Sequence, residues 1–208
     1  MSSAGLPSVC VVRHGETAWT VTGQHTGRTD IPLTARGEEQ ARALGASLRE
    51  MRFSDVFTSP LQRARRTCEL AGFGAIATVD ADLVEWDYGE YEGRRTAEIH
   101  VDHPTWRLFE DGCPKGESAA DVGARADRVI DRLRRCGNVL LFGHRDMLRV
   151  LAARWLQFPA IEGRRFYLDP GSLSLLGYNH NTSEPVIRLW NERSLFTELA
   201  DRATQQKT

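Results

Sequence analysis

Short apolar runs alternate along this chain with longer segments whose apolar residues recur at helical spacing, and that alternation narrows the fold more than any other feature. Val9–Val12 reads as a short buried strand, Asp55–Thr58 as a second, and Asn138–Phe142 as a fully apolar one. A brief strand is expected near Ile76–Val79. Between them, residues 34–51 form a helix with Thr34 at its start and Ala41, Leu44, Ala46, Leu48 and Met51 on its buried face. Ser59-Pro60 reads as N-cap and first residue of another helix, which stops at Gly72. Glu117–Cys136 is the longest helical stretch, striped by Val122, Ala126, Val129, Ile130 and Leu133, and Asp146–Leu156 is the next. Segments near 164–168, 172–178 and 185–190 read as strands. The pattern specifies an α/β fold: a three-layer α/β/α sandwich around a mostly parallel sheet with an antiparallel edge.

At 208 residues the chain suits one domain, 1–208, long enough to bury about 70% of its unfolded surface. Residues 80–116 are loop-rich, broken by Gly89, Gly93, Pro104, Gly112, Pro114 and Gly116, with a helical turn expected over Thr96–His103. Asp201–Thr208 is polar and expected to fray. A net charge near −1 argues against a nucleic-acid or membrane surface. Met1–Pro7 lacks the basic and apolar stretches of a secretory leader, and no apolar run is long enough to span a bilayer. Cys10, Cys68, Cys113 and Cys136 are widely spaced, which fits a reduced cytoplasmic chain better than a disulfide framework.

In parallel sheets, ligands bind at the carboxyl ends of strands. Four polar clusters fall at or just beyond such ends: Arg13-His14, Ser59 through Arg63, Glu85 in the central insertion, and His144. An arginine beside a histidine disfavours protonation of the imidazole, and it also presents a planar fork of donors suited to phosphate. A neutral imidazole can act as a nucleophile. Gly15 permits a close approach of backbone to ligand, or a positive φ. Arg63, in the first turn of its helix, would add its guanidinium to the N-terminal amides. Two histidines and two arginines around one point would form a pocket for a tetrahedral dianion.

Together these segments resemble the histidine phosphatase superfamily, which includes cofactor-dependent phosphoglycerate mutases and many phosphatases. The resemblance spans nearly the whole chain. It rests on Arg13-His14-Gly15-Glu16-Thr17, the Gly23–Asp30 loop, Ser59-Pro60-Leu61-Gln62-Arg63-Ala64, Glu85-Trp86-Asp87-Tyr88-Gly89 and Gly143-His144. It implies a phosphoglycerate mutase-like fold, His14 as the residue that becomes phosphohistidine, and Arg13, Arg63 and His144 as holders of the transferring phosphoryl group. It also implies Thr26 and Gly27 as substrate contacts and Glu85 as proton donor. No metal and no cofactor are implied, and a homodimer is admitted, with the C-terminal strands a candidate edge. One departure stands out. After His144 many relatives carry a small residue, whereas Arg145-Asp146 follows here; Arg145 either faces substrate or pairs with Asp146, and the pair could mark an altered activity.

Mutases of this kind typically continue after the acid with Arg-His-Tyr-Gly and a long basic insertion. Here Glu85 is followed by Trp86-Asp87-Tyr88-Gly89-Glu90-Tyr91-Glu92-Gly93, with neither. Water is therefore the expected acceptor, and the run is most similar to the branch of bacterial acid phosphatases and sedoheptulose-bisphosphatase-like enzymes. That implies a small phosphorylated metabolite such as a sugar phosphate or bisphosphate as substrate, with His25, Arg28 and Arg94 as candidate contacts to a second anionic group. A phosphoglycerate mutase is the alternative, and a non-catalytic phosphate-binding module a more distant one.

Overall fold

A computed structural model of the chain describes residues 6–193, so the frayed tail expected at Asp201–Thr208 lies outside the described residues. Six strands form one sheet: β1 (Val9–Arg13), β2 (Asp55–Thr58), β3 (Thr78–Val79), β4 (Val139–Gly143), β5 (Leu173–Tyr178) and β6 (Pro185–Glu192). Their order is β3-β2-β4-β1-β5-β6. The first four run parallel, and β5 and β6 close the far edge antiparallel. The helices are α1 (Ala18–Thr22), α2 (Ala35–Leu48), α3 (Gln62–Leu70), α4 (Thr96–Asp102), α5 (Leu108–Asp111), α6 (Ala119–Leu133) and α7 (Arg145–Trp155).

The central strands are apolar throughout because both of their faces are covered. Cys10 and Val12 of β1, with Leu140 and Phe142 of β4, pack against Leu44, Leu48 and Cys68 from α2 and α3. Val9, Val11, Val139 and Leu141 point the other way, to Val122, Ala126, Val129, Leu148 and Leu151 of α6 and α7. Period-2 alternation thus feeds two cores from one strand. All four cysteines are free, and no described helix is long and apolar enough to cross a membrane.

Several local expectations change. α2 starts at the Thr34 cap, whose hydroxyl accepts from Gly37 N–H, but its inward stripe is Ala41, Leu44, Gly45 and Leu48. Ala46 lies exposed, two residues and so about 200° round from Leu44. α3 begins at Gln62 rather than at Pro60, and Ser59 does not cap it. Ser59 N–H still pairs with Phe142 of β4, and the orphaned Gln62 N–H is satisfied by the Asp30 carboxylate at 2.8 Å. The strand expected near 164–168 does not form; a 3₁₀ segment covers Ala160–Arg165 instead. Carbonyls there that a ladder would have used are taken by guanidinium groups: Gly163, Arg164 and Phe166 by Arg149, and Leu168 by Arg13.

Gly15 is needed for a reason other than a ligand or a positive φ. A Cβ there would stand 2.4 Å from the Gly37 carbonyl oxygen, and one on Gly37 would stand 2.1 Å from that of Glu16. Backbone against backbone, α2 presses on the loop that leaves β1. We expect Gly37→Ala to cost roughly 2 kcal/mol, about 4–8 °C in Tm, and to lower activity by displacing that loop. Thermal melting checks the first effect, and an unchanged Tm would show that the contact is not tight.

Candidate active site

The order β2-β4-β1 brings three carboxyl ends side by side. Val12, Phe142 and Thr58 are in register, so the next residues, Arg13-His14, Gly143-His144 and Ser59, emerge together. His14 N–H donates to Gly143 at 3.0 Å, extending the ladder one residue beyond the strands. The His14 and His144 rings lie 5.2 Å apart. His14 Nδ1 lies 2.7 Å from the Gly15 carbonyl, which only a protonated nitrogen can satisfy, so the lone pair is on Nε2.

His144 carries the complementary tautomer. Arg63 Nε–H donates to its Nδ1 at 3.2 Å, and its Nε2 therefore donates to Ser59 Oγ at 2.7 Å. Arg63 also donates to the carbonyls of Thr26, Gly27 and Thr29. Four of its five N–H groups are thus engaged. Arg63 and His144 are wholly buried, and they sit behind the cleft instead of along its wall.

That cleft holds about 200 Å³ and is lined by Arg13, His14, Thr26, Glu85, Tyr88 and Arg145, with Trp19, Thr20, His25 and Tyr167 among the residues that complete it. Arg13 donates to Leu168 O at 2.5 Å, while its buried Nε has no partner. Gly27 turns its N–H to Glu92 at 2.8 Å and does not face the cleft. Arg28 and Arg94 are already paired, with Asp87 at 3.3 Å and Asp102 at 3.1 Å, and neither lines it. His25 does.

Glu85 is held by the start of α7. Its Oε1 accepts N–H groups from Trp86, Asp146 and Met147, so it caps that helix from a distant loop. Arg125 fixes the loop itself, donating to the Asp82, Val84 and Glu85 carbonyls while forking onto Glu117 at 2.8 Å. Arg125 was findable in the sequence, since it falls within the apolar stripe of α6 between Val122 and Val129. Asp146 pairs with Arg149 at 2.5 Å and accepts from Tyr88 Oη at 2.6 Å, so it is not the partner of Arg145. Trp19, Thr20 and Tyr167 also escaped the sequence reading. The capping box at Thr17 could have placed the first two at the start of α1, whereas nothing local marks Tyr167.

Burial, reinforced by Arg63 and Arg13, drives the His14 pKa well below its usual value, and burial with Arg63 does the same for His144. Burial and then the neighbouring Asp146 charge push Glu85 upward against its three backbone donors. Burial would raise Asp146 as well, but Arg149 and Arg145 outweigh it and hold that carboxyl at about 2. Burial and then Arg145 bring Arg13 down to about 10, which leaves it charged at neutral pH.

The family model for the histidine phosphatase superfamily (branch 1) matches residues 9–193. This chain belongs to that superfamily. This superfamily member is 38% identical over 182 residues to an acid phosphatase of Mycobacterium tuberculosis, covering 85% of this chain and 89% of the relative. It is 32% identical over 250 residues to the sedoheptulose 1,7-bisphosphatase of Saccharomyces cerevisiae, covering 88% and 92%. A solved structure of an open reading frame product from Mycobacterium tuberculosis matches its fold with a TM-score of 0.82 at 36% identity, over 89% of this chain and 97% of that one.

The buried neutral imidazoles set a pH dependence. Below about 6.5 the unfolded chain binds protons that folded His14 and His144 refuse, so stability falls as pH falls through that range. Glu85 acts in the opposite sense above its ordinary value. Asp146, depressed to about 2, adds a further loss only as pH drops from about 4 toward 2. Tm is expected to decline from pH 7.5 to 5, and more shallowly in His144→Gln. Equal slopes in the two proteins would remove His144 from this account.

Proposed function

We propose that the protein hydrolyses small phosphomonoesters of metabolite size through a phosphohistidine on His14. The observation that carries this is one imidazole whose Nδ1–H is committed to the Gly15 carbonyl, beside an arginine with an unpartnered buried Nε and opposite a buried carboxyl group, all in one narrow cleft. A nucleophile, a phosphate clamp and an acid are the parts such a reaction needs.

In the first half-reaction His14 Nε2 attacks phosphorus and the bond to the ester oxygen breaks. Arg13 takes up charge on the equatorial oxygens, and the remaining Arg63 N–H and its positive charge support them from below. Glu85, pushed toward its protonated form by burial and by Asp146, gives its proton to the departing alkoxide. In the second half Glu85 removes a proton from water, which attacks the phosphohistidine and restores His14. Arg63 also holds the Thr26–Thr29 backbone, so its removal would deform one wall of the cleft as well as lower the charge beneath it. Thr26 is the member of that loop that lines the cleft, which supports a contact to substrate.

Water as acceptor is supported by the missing basic insertion after Glu85, and the small volume favours metabolites over phosphoproteins. Buried thiols raised to about 12 at Cys10, Cys68 and Cys113 suit a reducing cytoplasm.

His14→Ala should lower kcat for p-nitrophenyl phosphate by at least about 10⁴-fold without lowering the far-UV helix signal, and should abolish acid-labile label transfer from ³²P-substrate. Full turnover by that variant would overturn the assignment. Glu85→Gln should slow alkyl phosphates by roughly 10²–10³-fold and p-nitrophenyl phosphate much less, because a good leaving group needs little protonation. An equal loss across a leaving-group series would take Glu85 out of the acid role. Isomer formation from 3-phosphoglycerate primed with bisphosphoglycerate, without phosphate release, would mark a mutase instead.

A further inference from the structure

Most arginines near the cleft have their charge or their donors taken up. Arg28, Arg94, Arg125 and Arg149 each face a carboxylate, and Arg63 spends its donors on carbonyls and His144. Arg145 is different. It is the first residue of α7, it lines the cleft, and among the described residues it forms no ion pair. Its Nε is buried and unpartnered, and its guanidinium lies over the Tyr167 ring at 5.9 Å.

Arg13 and Arg145 therefore face one small cavity, neither in ion-pair contact with a carboxylate among the described residues, and Arg145 is, after burial, the main influence drawing the Arg13 pKa down. A transferring phosphoryl dianion is balanced by Arg13 and Arg63. The Asp146 charge favours the Arg145 cation without touching it, because that carboxylate is already committed to Arg149 and Tyr88; a cleft-facing guanidinium with no acceptor in contact gains further when an anion meets it. Tyr167 presents a flat support that leaves the fork of donors oriented.

We propose that Arg145 is a specificity determinant that receives a second anionic group on the substrate, a carboxylate or a second phosphate, an assignment that rests on the phosphatase reading above. The test is a ratio. Two substrate pairs differ in the second charge: 3-phosphoglycerate against glycerol 3-phosphate, and fructose 1,6-bisphosphate against fructose 6-phosphate. The wild-type protein should prefer the doubly anionic member of at least one pair by about 10-fold or more in kcat/KM. Arg145→Gln should collapse that preference by about 10–100-fold, chiefly through KM, and Arg145→Lys should retain part of it. The pair that responds tells a carboxylate from a phosphate. No preference in either pair, or a preference untouched by Arg145→Gln, overturns the proposal. An equal loss on all four substrates also overturns it, since Arg145 would then hold the transferring group itself. Turnover of p-nitrophenyl phosphate by the wild-type protein is the separate check on the phosphatase reading, whose failure would be seen there.

Discussion

A guanidinium group removed from water must find acceptors for its donors, and in this protein it finds them on the carbonyls of the loops that build the cleft. Arg13 holds Leu168, Arg63 holds Thr26, Gly27 and Thr29, Arg125 holds Asp82, Val84 and Glu85, and Arg149 holds Gly163, Arg164 and Phe166. Each cation thereby trades hydration for fixed backbone dipoles. The outcome is a cleft whose walls have little regular structure yet are tied to strands and helices by charged bonds. The arginine of β1 thus anchors a distant loop while leaving its Nε free beside His14.

The sheet frame was open to inspection in the sequence because its cause is local. Val9–Val12, Asp55–Thr58 and Asn138–Phe142 could be strands of little else, and β1, β2 and β4 appear at those places within a residue. From parallel order it follows that His14, His144 and Ser59 meet. What could not be read is where the buried guanidinium groups would find carbonyls, since such bonds join residues far apart in the chain. That is why 164–168 misled: Phe166, Tyr167 and Leu168 suit a strand, but Arg149 and Arg13 claim its carbonyls. Ser59 misled for the same kind of reason. Its hydroxyl suits a cap, yet the long-range partner His144 takes it, and Asp30 supplies the cap from another loop.

Burial and charge together push two groups in the site toward their neutral forms. Arg63 and Arg13 disfavour a proton on His14, which preserves its lone pair. Burial and then Asp146 disfavour loss of a proton from Glu85, as the acid role proposed for it requires. The two influences stay apart because the Asp146 charge is itself pinned by Arg149 and Tyr88 on the far side of the helix start. The Arg145-Asp146 pair therefore divides its labour: one residue faces the cleft and the other faces inward.

The three amide donors on Glu85 bear on how one side chain would serve both proposed half-reactions. Trp86 and Met147 N–H both go to Oε1 at 2.9 Å, while Asp146 N–H is shared between Oε1 at 3.2 Å and Oε2 at 3.1 Å. With two undivided donors on Oε1 and one shared donor on Oε2, the proposed acid would exchange its proton at Oε2 while Oε1 stays anchored, without a rotamer change. In the proposed reaction this carboxyl group would serve as a hinge-free relay, reset by the step it assists.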